Sequence, residues 1–548
     1  MPIFKTAYFY FLAVKIKIVK NLKKIYFTTN FYNKSLKSNV PDQLFYNPNS
    51  YLLTSFNNKN NFSFKVSNIN PDIFWYKKES IKETENLHNF FWLNLINRKS
   101  DKLILQKIIN VWIFKFSRYK KIIWESSVIS KRIISWILNA DIILDKSEIS
   151  FKKDFFQSII QQTNHVKKNI KFQNDYSKRI EIICAILLTG LVFKEYRKNF
   201  EIGIKELKKL ISIFFDANGF PISKNPAHLI KFSKYLILIK ECIKESQLYV
   251  PDYLDEIIEK NLDCLSSIIT PSNQVPLFNG ANEINLDDYI SYLSGLNYKL
   301  KKQENRVESI LILKCKKNFV FFDACIPPEK KFSSSYQSGP LSFEYFYNNQ
   351  KIITNCGFGN NISNKAMLLS RLTSAQSTLC INDVSVVKFE RKKIFNEAFG
   401  NSIKNDFKIF DTNFNENNAE IIASASHNAY EINYGCTIKR EIKLFKKDGS
   451  LAGRDLLLRK DSKETLKYNI RFHLYPGITA TETLGGKNIL IQIGRNKSLI
   501  FMCDEDKLSL EKSIFLGKNQ ILNNNCITIS GNIVNDKKEV NWKIVKNI

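Results

Sequence analysis

The sequence lacks any run of about 18 apolar residues, the length that a membrane-spanning helix requires. Its early apolar stretch, from Ala7 to Val14, is short and rich in aromatic side chains, and Lys15 and Lys17 follow it. No small-residue cleavage site comes after this stretch, so it makes a poor signal peptide. The sequence therefore predicts no transmembrane segment, and an ordinary first helix or strand is the simpler interpretation of the N-terminus.

Paired cysteines are also missing. The ten cysteines are scattered and none forms a C-x-x-C pair, which argues against a thiolate zinc site. In a chain of this size, dispersed cysteines are typical of small buried side chains and favour a reducing compartment. Nucleotide-binding glycine motifs, a phosphate loop and a Gly-x-Ser-x-Gly elbow are absent too, which removes the common signatures of nucleotide enzymes and serine hydrolases.

Acidic residues are in the minority. Asp and Glu total 52 against 82 Lys and Arg, a formal net charge of +30. A charge of that size indicates an anionic partner, which could be nucleic acid, anionic lipid or an acidic polymer, although a general bias toward Lys, Asn and Ile gives the same number. No basic tail and no nucleic-acid motif accompany the charge, so we expect no nucleic-acid partner.

The hydrophobic period changes once along the chain. From about Ile81 to Tyr292, apolar residues recur at three- and four-residue spacing, which predicts successive antiparallel helices. From Ser309 onward, short alternating segments are separated by turn residues, which is typical of an antiparallel sandwich. The polar stretch from Lys301 to Arg306 is the best boundary between the two parts.

Several phrases carry a family resemblance. Leu341 to Glu344 (LSFE), Asn355 to Gly357 (NCG) and Ala375 to Leu379 (AQSTL) resemble the C-terminal β domain of the heparinase II/III family. Asp216 to Pro226 (DANGFPISKNP) and His88 to Leu95 (HNFFWLNL) are similar to the helical domain of a proteobacterial branch. The likeness covers roughly residues 45 to 535.

The resemblance implies an α+β multidomain protein, with an N-terminal α/α toroid, or incomplete helical barrel, and a C-terminal antiparallel β-sandwich. We expect an N-terminal extension over residues 1–45, the toroid over 46–303 and the heparinase II/III-like β-sandwich over 304–548. The resemblance also implies a polysaccharide lyase with an acidic polysaccharide as its partner. It places the protein in the cell envelope or periplasm, with the cytoplasm as the alternative because no convincing signal peptide is present, and it leaves the oligomeric state open.

Lyases of this family break a glycosidic bond beside a uronic acid by β-elimination, which needs a base, an acid and a group that neutralises the sugar carboxylate. The family's zinc ligands are two His and one Asp, and their positions hold Gln337, Gln376 and Asn355 here. Side-chain amides are poor zinc ligands, so we expect no zinc and no other cofactor. The three amides could instead hydrogen-bond one another and take over the cross-linking role of the metal.

The helical domain departs from the family pattern as well. Its Asn-His pair falls at Ser177-Lys178, and its catalytic tyrosine falls near Pro226, which has no acidic group. If the alignment slips by a residue or two, Asn174, Tyr176 and Asn225 become candidates. His165 and His228 lie in or beside predicted helices, and packing or surface roles suit them best. His88 precedes an aromatic cluster, which suits a capping or core residue.

The remaining catalytic candidates are His427, Tyr430 and Tyr336, and His427 is the candidate base. His427 is expected in a loop before a strand, and the alternative for the pair is a loop histidine and a strand tyrosine satisfied by backbone groups. Tyr336 could stack on a sugar ring or simply anchor its loop.

Substrate-binding candidates are Arg371, Gln337, Gln376, His473 and Arg471. Arg371 could pair with a sugar carboxylate or order its loop through a salt bridge. Strand alternation puts His473 on one face with Arg471 and Tyr475, toward the substrate or toward solvent.

Two functions therefore stay open. One is a lyase that cleaves an acidic glycan, and the other is a catalytically degenerate protein on the same scaffold that binds such a glycan or assembles envelope polymers. Convergence of the candidate residues on one groove would favour the enzyme, and scatter would favour the binding protein.

Overall fold

The computed structural model describes residues 2–56, 70–75, 80–96, 102–390, 392–460, 464–494, 497–504 and 507–547. The chain divides into two compact units. Unit 1 contains residues 1–214 and 231–259, and unit 2 contains residues 215–230 and 260–548.

Helices occupy the chain up to residue 295, as the three- and four-residue spacing predicts. One of them runs from Lys102 to Phe116, where apolar residues recur at this spacing. The helices are α1 Pro2–Thr28, α2 Asn30–Leu36, α3 Pro71–Phe74, α4 Ile81–His88, α5 Lys102–Phe116, α6 Ser126–Leu138, α7 Ala140–Ile143, α8 Ile149–Asn169, α9 Tyr176–Val192, α10 Arg197–Phe214, α11 Ala227–Glu245, α12 Asp252–Ile268 and α13 Asp287–Gly295. Across the part of the chain that the structure describes, none of the helices is apolar over a length that could cross a membrane.

The core of unit 1 is aromatic. Trp112 and Trp136 are fully buried and meet edge to face, with their ring centroids 5.3 Å apart. His88 ends α4 and accepts a hydrogen bond from the Trp112 indole at 2.9 Å. His165 on α8 lies 2.7 Å from the Tyr32 hydroxyl. Both histidines are therefore packing residues, as the sequence indicates, and burial lowers the pKa of each to about 3.

Strands begin at Arg306 and continue to Lys546, with three short helices among them. The strands are β1 Arg306–Val307, β2 Ile310–Cys315, β3 Asn318–Asp323, β4 Phe343–Tyr347, β5 Gln350–Thr354, β6 Leu379–Ile381, β7 Ile409–Glu416, β8 Glu420–Tyr430, β9 Cys436–Phe445, β10 Leu451–Arg459, β11 Leu466–Leu474, β12 Thr479–Glu482, β13 Asn488–Gly494, β14 Lys497–Cys503, β15 Lys507–Phe515, β16 Leu522–Ile533 and β17 Lys537–Lys546. The short helices are α14 Asn364–Leu369, α15 Lys393–Phe399 and α16 Glu431–Tyr434.

The described strands form two antiparallel sheets. The first has the order β1-β2-β3-β4-β5-β11-β16-β15, with β6 also paired to β11, and the second has the order β12-β13-β14-β17-β10-β9-β8-β7. Along β9, buried and partly exposed residues alternate strictly, which is the pattern of a strand with one face toward a core. Inward residues of both sheets, among them Phe343, Phe472 and Trp542, pack ring against ring and fill that core.

Candidate functional site

The predicted amide cluster lies inside unit 2, and Gln337, Asn355 and Gln376 are all buried. The Gln337 amide donates to the carbonyls of Gly357 at 3.0 Å and Ser370 at 2.7 Å, and it accepts from the Gly280 N–H at 2.9 Å. Gln376 donates to the same Ser370 carbonyl at 2.8 Å. The three positions stay close, as the sequence indicates, because Asn355 accepts from the N–H of Ser377, the neighbour of Gln376, at 2.8 Å.

The predicted amide-to-amide bonding is wrong in its detail. Gln337 and Gln376 do not bond one another but share a backbone carbonyl, and Asn355 bonds backbone groups and the Ser342 hydroxyl. Their –NH₂ groups thus point at carbonyl oxygens in the interior of the cluster. A cation would meet donors where it needs lone pairs, so these residues do not fit zinc. Among the described residues, no group of His, Cys, Asp and Glu could hold a metal ion.

Arg371 and Tyr336 are buried beside this cluster. The Arg371 guanidinium donates to the carbonyls of Tyr336, Asn401 and Ser333 at 2.7, 2.6 and 2.8 Å, and it stacks 3.8 Å from the Phe389 ring centroid. The sequence left two partners open for Arg371, a sugar carboxylate or a salt bridge within the loop. In the structure its partners are backbone carbonyls instead. A polymer cannot reach Arg371 or Tyr336 in this structure, since both side chains are fully enclosed.

His427 lies within β8 and not in a loop before a strand, so that part of the prediction is wrong. The strand continues to Tyr430 because its pairing with β9 resumes there after a register shift. The His427 ring is 1% exposed and accepts from the Ala429 N–H at 3.3 Å. Burial lowers its pKa to about 3, with the Arg440 charge as a smaller cause. Tyr430 donates to the Val384 carbonyl at 2.8 Å and is equally enclosed.

His473 and Arg471 share the outer face of β11, as strand alternation predicts. His473 lies 2.9 Å from the Ser513 hydroxyl through Nδ1 and 3.0 Å from the Ser374 carbonyl through Nε2, so neighbouring segments cover it. Burial lowers its pKa to about 4. Arg471 is partly exposed and pairs with Asp383 at 2.9 Å. The eight predicted site residues therefore do not line one open groove, and Arg471 alone among them is accessible.

The loop from Phe215 to Ala227 holds a site that the sequence reasoning passed over. Asp216 Oδ1 accepts from the N–H groups of Asn218 and Phe220, both at 2.9 Å, and Gly219 takes a positive φ of 83° in the turn between them. The loop ends where Asn225 Oδ1 caps the start of α11 by accepting from the Ala227 N–H at 2.9 Å. This fixed loop holds Ser223 and His228 so that the Ser223 hydroxyl lies 2.7 Å from His228 Nδ1.

His228 differs from the other histidines in its exposure. All five histidines fall within the described residues, and His88, His165, His427 and His473 are buried while His228 is partly exposed. The sequence places it beside a helix, which is correct, since it is the second residue of α11. What the sequence did not reveal is that Ser223, five residues earlier, turns back onto it.

A buried polar group adjoins this loop. Lys224, the neighbour of Ser223, pairs with Glu308 at 2.9 Å. Burial alone would raise the pKa of Glu308, but the Lys224 charge outweighs it and holds that pKa below the usual value. Asp323 accepts from Cys325 N–H at 3.0 Å and from the Asn279 amide at 3.1 Å, and burial raises its pKa to about 6. The Lys224–Glu308 pair thus ties this loop to a largely buried carboxylate.

Comparisons with known proteins agree with this architecture. Residues 308–543 match the family described as heparinase II/III-like, C-terminal. A crystal structure of heparinase III superposes with a TM-score of 0.65 at 14% identity, covering 90% of this chain and 84% of that one. The heparan sulfate lyase HepC of Pedobacter heparinus gives a TM-score of 0.60 at 13% identity, with 87% and 78% covered. No protein of curated function matches the chain in sequence.

The β-sandwich part of the chain, residues 308–543, is thus similar to the heparinase II/III-like C-terminal domain family. The chain as a whole carries the heparinase III fold, an α/α toroid followed by an antiparallel β-sandwich, as the sequence resemblance implies.

Proposed function

We propose that this protein is a polysaccharide lyase that cleaves an acidic, uronate-containing glycan by β-elimination, with His228 as the base. One observation carries the proposal: of the five histidines, His228 is the one that solvent reaches, and a hydroxyl 2.7 Å from its Nδ1 orients the ring. A general base must reach the proton that it removes, which the buried His427 and His473 cannot do in this structure.

In this proposal Nε2 of His228 takes the C5 proton of the uronate. The electron pair of the C5–H bond forms the C4–C5 double bond while the C4–O bond breaks, and the leaving oxygen takes a proton from water. His228 Nδ1–H donates to the Ser223 hydroxyl oxygen, and this tautomer keeps the lone pair of the neutral imidazole on Nε2. Ser223 is therefore a positioning residue in this scheme, and His228 is the catalytic residue.

The charge and the relatives support an acidic glycan as the substrate. The net charge of +30 favours an anionic polymer over a neutral one. HepC, which shares the fold, is by its name a heparan sulfate lyase. We propose the cell envelope or periplasm as the location of this activity, following the family resemblance, with the cytoplasm as the alternative.

A second function has its own support. The zinc ligands of the family are replaced by three amides that are satisfied by backbone groups, and Arg371 bonds three carbonyls. These features, together with the failure of the eight predicted site residues to line one open groove, suit a catalytically degenerate protein that binds an acidic glycan on the same scaffold.

The test is an assay of the purified protein against a panel of uronate polymers, read as ultraviolet absorbance of the new C4–C5 double bond. On a cleaved polymer, we expect His228→Ala to lower kcat by roughly 10²- to 10⁴-fold, the usual contribution of a general base. Ser223→Ala should lower kcat less and shift the pH profile of kcat/KM. Asn218→Ala, in the same loop but with an exposed side chain, is the matched control and should leave turnover unchanged.

Unchanged turnover in His228→Ala would remove His228 from the mechanism. Saturable binding of a polymer by the parent protein, with no absorbance change on any polymer, would select the degenerate binding protein instead.

A further inference from the structure

Helix α1 exposes a continuous apolar stripe. Phe11, Val14, Ile18, Leu22 and Ile25 recur at three- and four-residue spacing, so they lie on one side of the helix. Their exposed fractions are 68%, 39%, 52%, 60% and 66%. A stripe with this spacing is what a helix normally buries against a partner, yet none of these five side chains is buried within unit 1.

The opposite side of the same helix is the side that unit 1 covers. Ala13 is fully buried, and Phe27 packs against Tyr32 and His165, with ring centroids 4.6 and 5.2 Å away. At 3.6 residues per turn, Ala13 and Phe27 lie across the helix from the stripe. The stripe therefore points away from the packed face, as a surface element, and α1 is held on unit 1 without it.

The charges carried by α1 itself have one sign. No Asp or Glu precedes Asp42, while the charged residues before it are all lysines: Lys5, Lys15, Lys17, Lys20, Lys23, Lys24, Lys34 and Lys37. Lys15 and Lys17 are exposed and flank the stripe on its two sides. Such lysines can extend their ammonium groups toward phosphate while their methylene chains lie on an apolar surface.

We propose that α1 is a membrane-surface helix that lies in the headgroup region of an anionic lipid bilayer, with the stripe from Phe11 to Ile25 in the acyl boundary. Exposed apolar side chains supply the buried area, and the lysines supply the attraction to anionic headgroups. Because this segment contains no acidic residue, a lipid surface of negative charge complements it. This complementarity is the reason to expect lipid, and not a protein, against the stripe. This inference is independent of the proposed lyase activity.

The test is flotation of the full-length protein with vesicles. One set of vesicles is pure phosphatidylcholine, and in the other set phosphatidylglycerol replaces part of it. We expect the parent protein to float with the anionic vesicles only, and the bound fraction to fall at high salt because exposed charges are screened. Lys15→Gln with Lys24→Gln should weaken binding to anionic vesicles roughly 30-fold. Each lysine contributes about 1 kcal/mol near an anionic surface, and about 1.4 kcal/mol corresponds to a tenfold change in affinity.

Ile18→Ser with Leu22→Ser removes the centre of the stripe and should lower vesicle affinity at least roughly 100-fold. Two matched controls lie elsewhere on unit 1. Phe114→Ser removes another highly exposed aromatic side chain, and Lys205→Gln with Lys209→Gln removes two exposed lysines from α10. Both controls should float like the parent.

Three results would overturn the proposal. The parent protein could fail to float with either vesicle, or the Ile18→Ser, Leu22→Ser variant could float as well as the parent. Sedimentation of the lipid-free protein could also show a dimer that this variant dissociates, which would make a second copy of the chain the occupant of the stripe.

Discussion

Two regions of this molecule reverse the usual relation between residue type and burial. The amide cluster of unit 2 encloses the polar groups that sequence reasoning took for a binding site, from Gln337 to Arg371. Helix α1 of unit 1 exposes apolar groups that sequence reasoning took for an ordinary first element. In the cluster, backbone groups bond the side chains of Gln337, Gln376 and Arg371, whereas the side chains of the α1 stripe stay 39–68% exposed.

The difference teaches that polarity alone identifies neither a core nor a site. Buried polar groups are stable when each donor finds an acceptor, and the amide cluster meets that condition with short bonds to carbonyls. Apolar groups that stay exposed to water add little to folding stability, but they stabilise a complex once a partner covers them. We therefore expect substitutions in the cluster to change stability and substitutions in the stripe to change association.

The largest effect is expected from Arg371→Ala. The change leaves the carbonyls of Ser333, Tyr336 and Asn401 without their donor and removes the stacking on Phe389. We expect the free energy of unfolding to fall by roughly 3–5 kcal/mol, the range for breaking a buried charged network. Urea denaturation followed by circular dichroism measures it.

Arg306→Ala is the control, because the Arg306 side chain is exposed and bonds one local carbonyl. It should change the free energy of unfolding by less than about 0.5 kcal/mol. If Arg371→Ala were as stable as this control, Arg371 would not stabilise the fold in the way its bonds indicate. A role of Arg371 in polymer binding would then again be a candidate.

A smaller effect is expected from the pH dependence of the buried histidines. Burial depresses the folded-state pKa of His427 to about 3, below the ordinary value near 6.5. A depressed pKa gives stability that is present above pH 6.5 and is lost as the pH falls toward 3. Lowering the pH from 7 to 5 protonates His427 in the unfolded state only, which should lower the free energy of unfolding by roughly 2 kcal/mol. Asp323 acts in the opposite direction, since its pKa is raised to about 6.

The check is urea unfolding of His427→Phe and the parent protein at pH 7 and pH 5. The variant should lose roughly 2 kcal/mol less than the parent over this interval, because its ring has no proton to gain. In His427→Phe the Ala429 N–H loses its acceptor, which lowers the stability of the variant. Because this loss is equal at both pH values, it cancels in the difference between pH 7 and pH 5. Asn218→Ala, which changes no titratable group, should lose as much as the parent. Equal losses in all three proteins would mean that His427 titrates normally.

The fold could be predicted from the sequence to a large extent, because hydrophobic period is a local property. The spacing in Lys102 to Phe116 and the alternation in Thr437 to Phe445 each report their own element. The site could not be predicted in the same way. His427 looked like a loop residue because Asn428 and the turn after Tyr430 interrupt the alternation, yet the ladder to β9 continues through a register shift.

Long-range contacts explain the other misses. Arg371 and Ser333 are 38 positions apart in sequence, and the carbonyls that enclose the guanidinium leave no trace in composition or spacing. The Ser223–His228 pair is local, and its signal was present in the phrase SKNPAH: a turn residue before a proline, with a histidine in the first turn of the next helix. A histidine in the first turn of a helix, directly after a turn that contains serine, is the feature that indicates such a pair.

The smallest effect on folding is expected from the stripe of α1. Ile18→Ser with Leu22→Ser replaces two side chains that are already 52% and 60% exposed, so folding buries little of their apolar surface. Because the free energy of burial scales with the area removed from water, we expect a change of less than about 1 kcal/mol in the free energy of unfolding in lipid-free buffer. The same variant should lose vesicle binding, and this pairing of unchanged stability with lost association separates α1 from the amide cluster. A loss of several kcal/mol in urea denaturation would mean that the stripe is covered within the folded protein, and the contrast between the two regions would disappear.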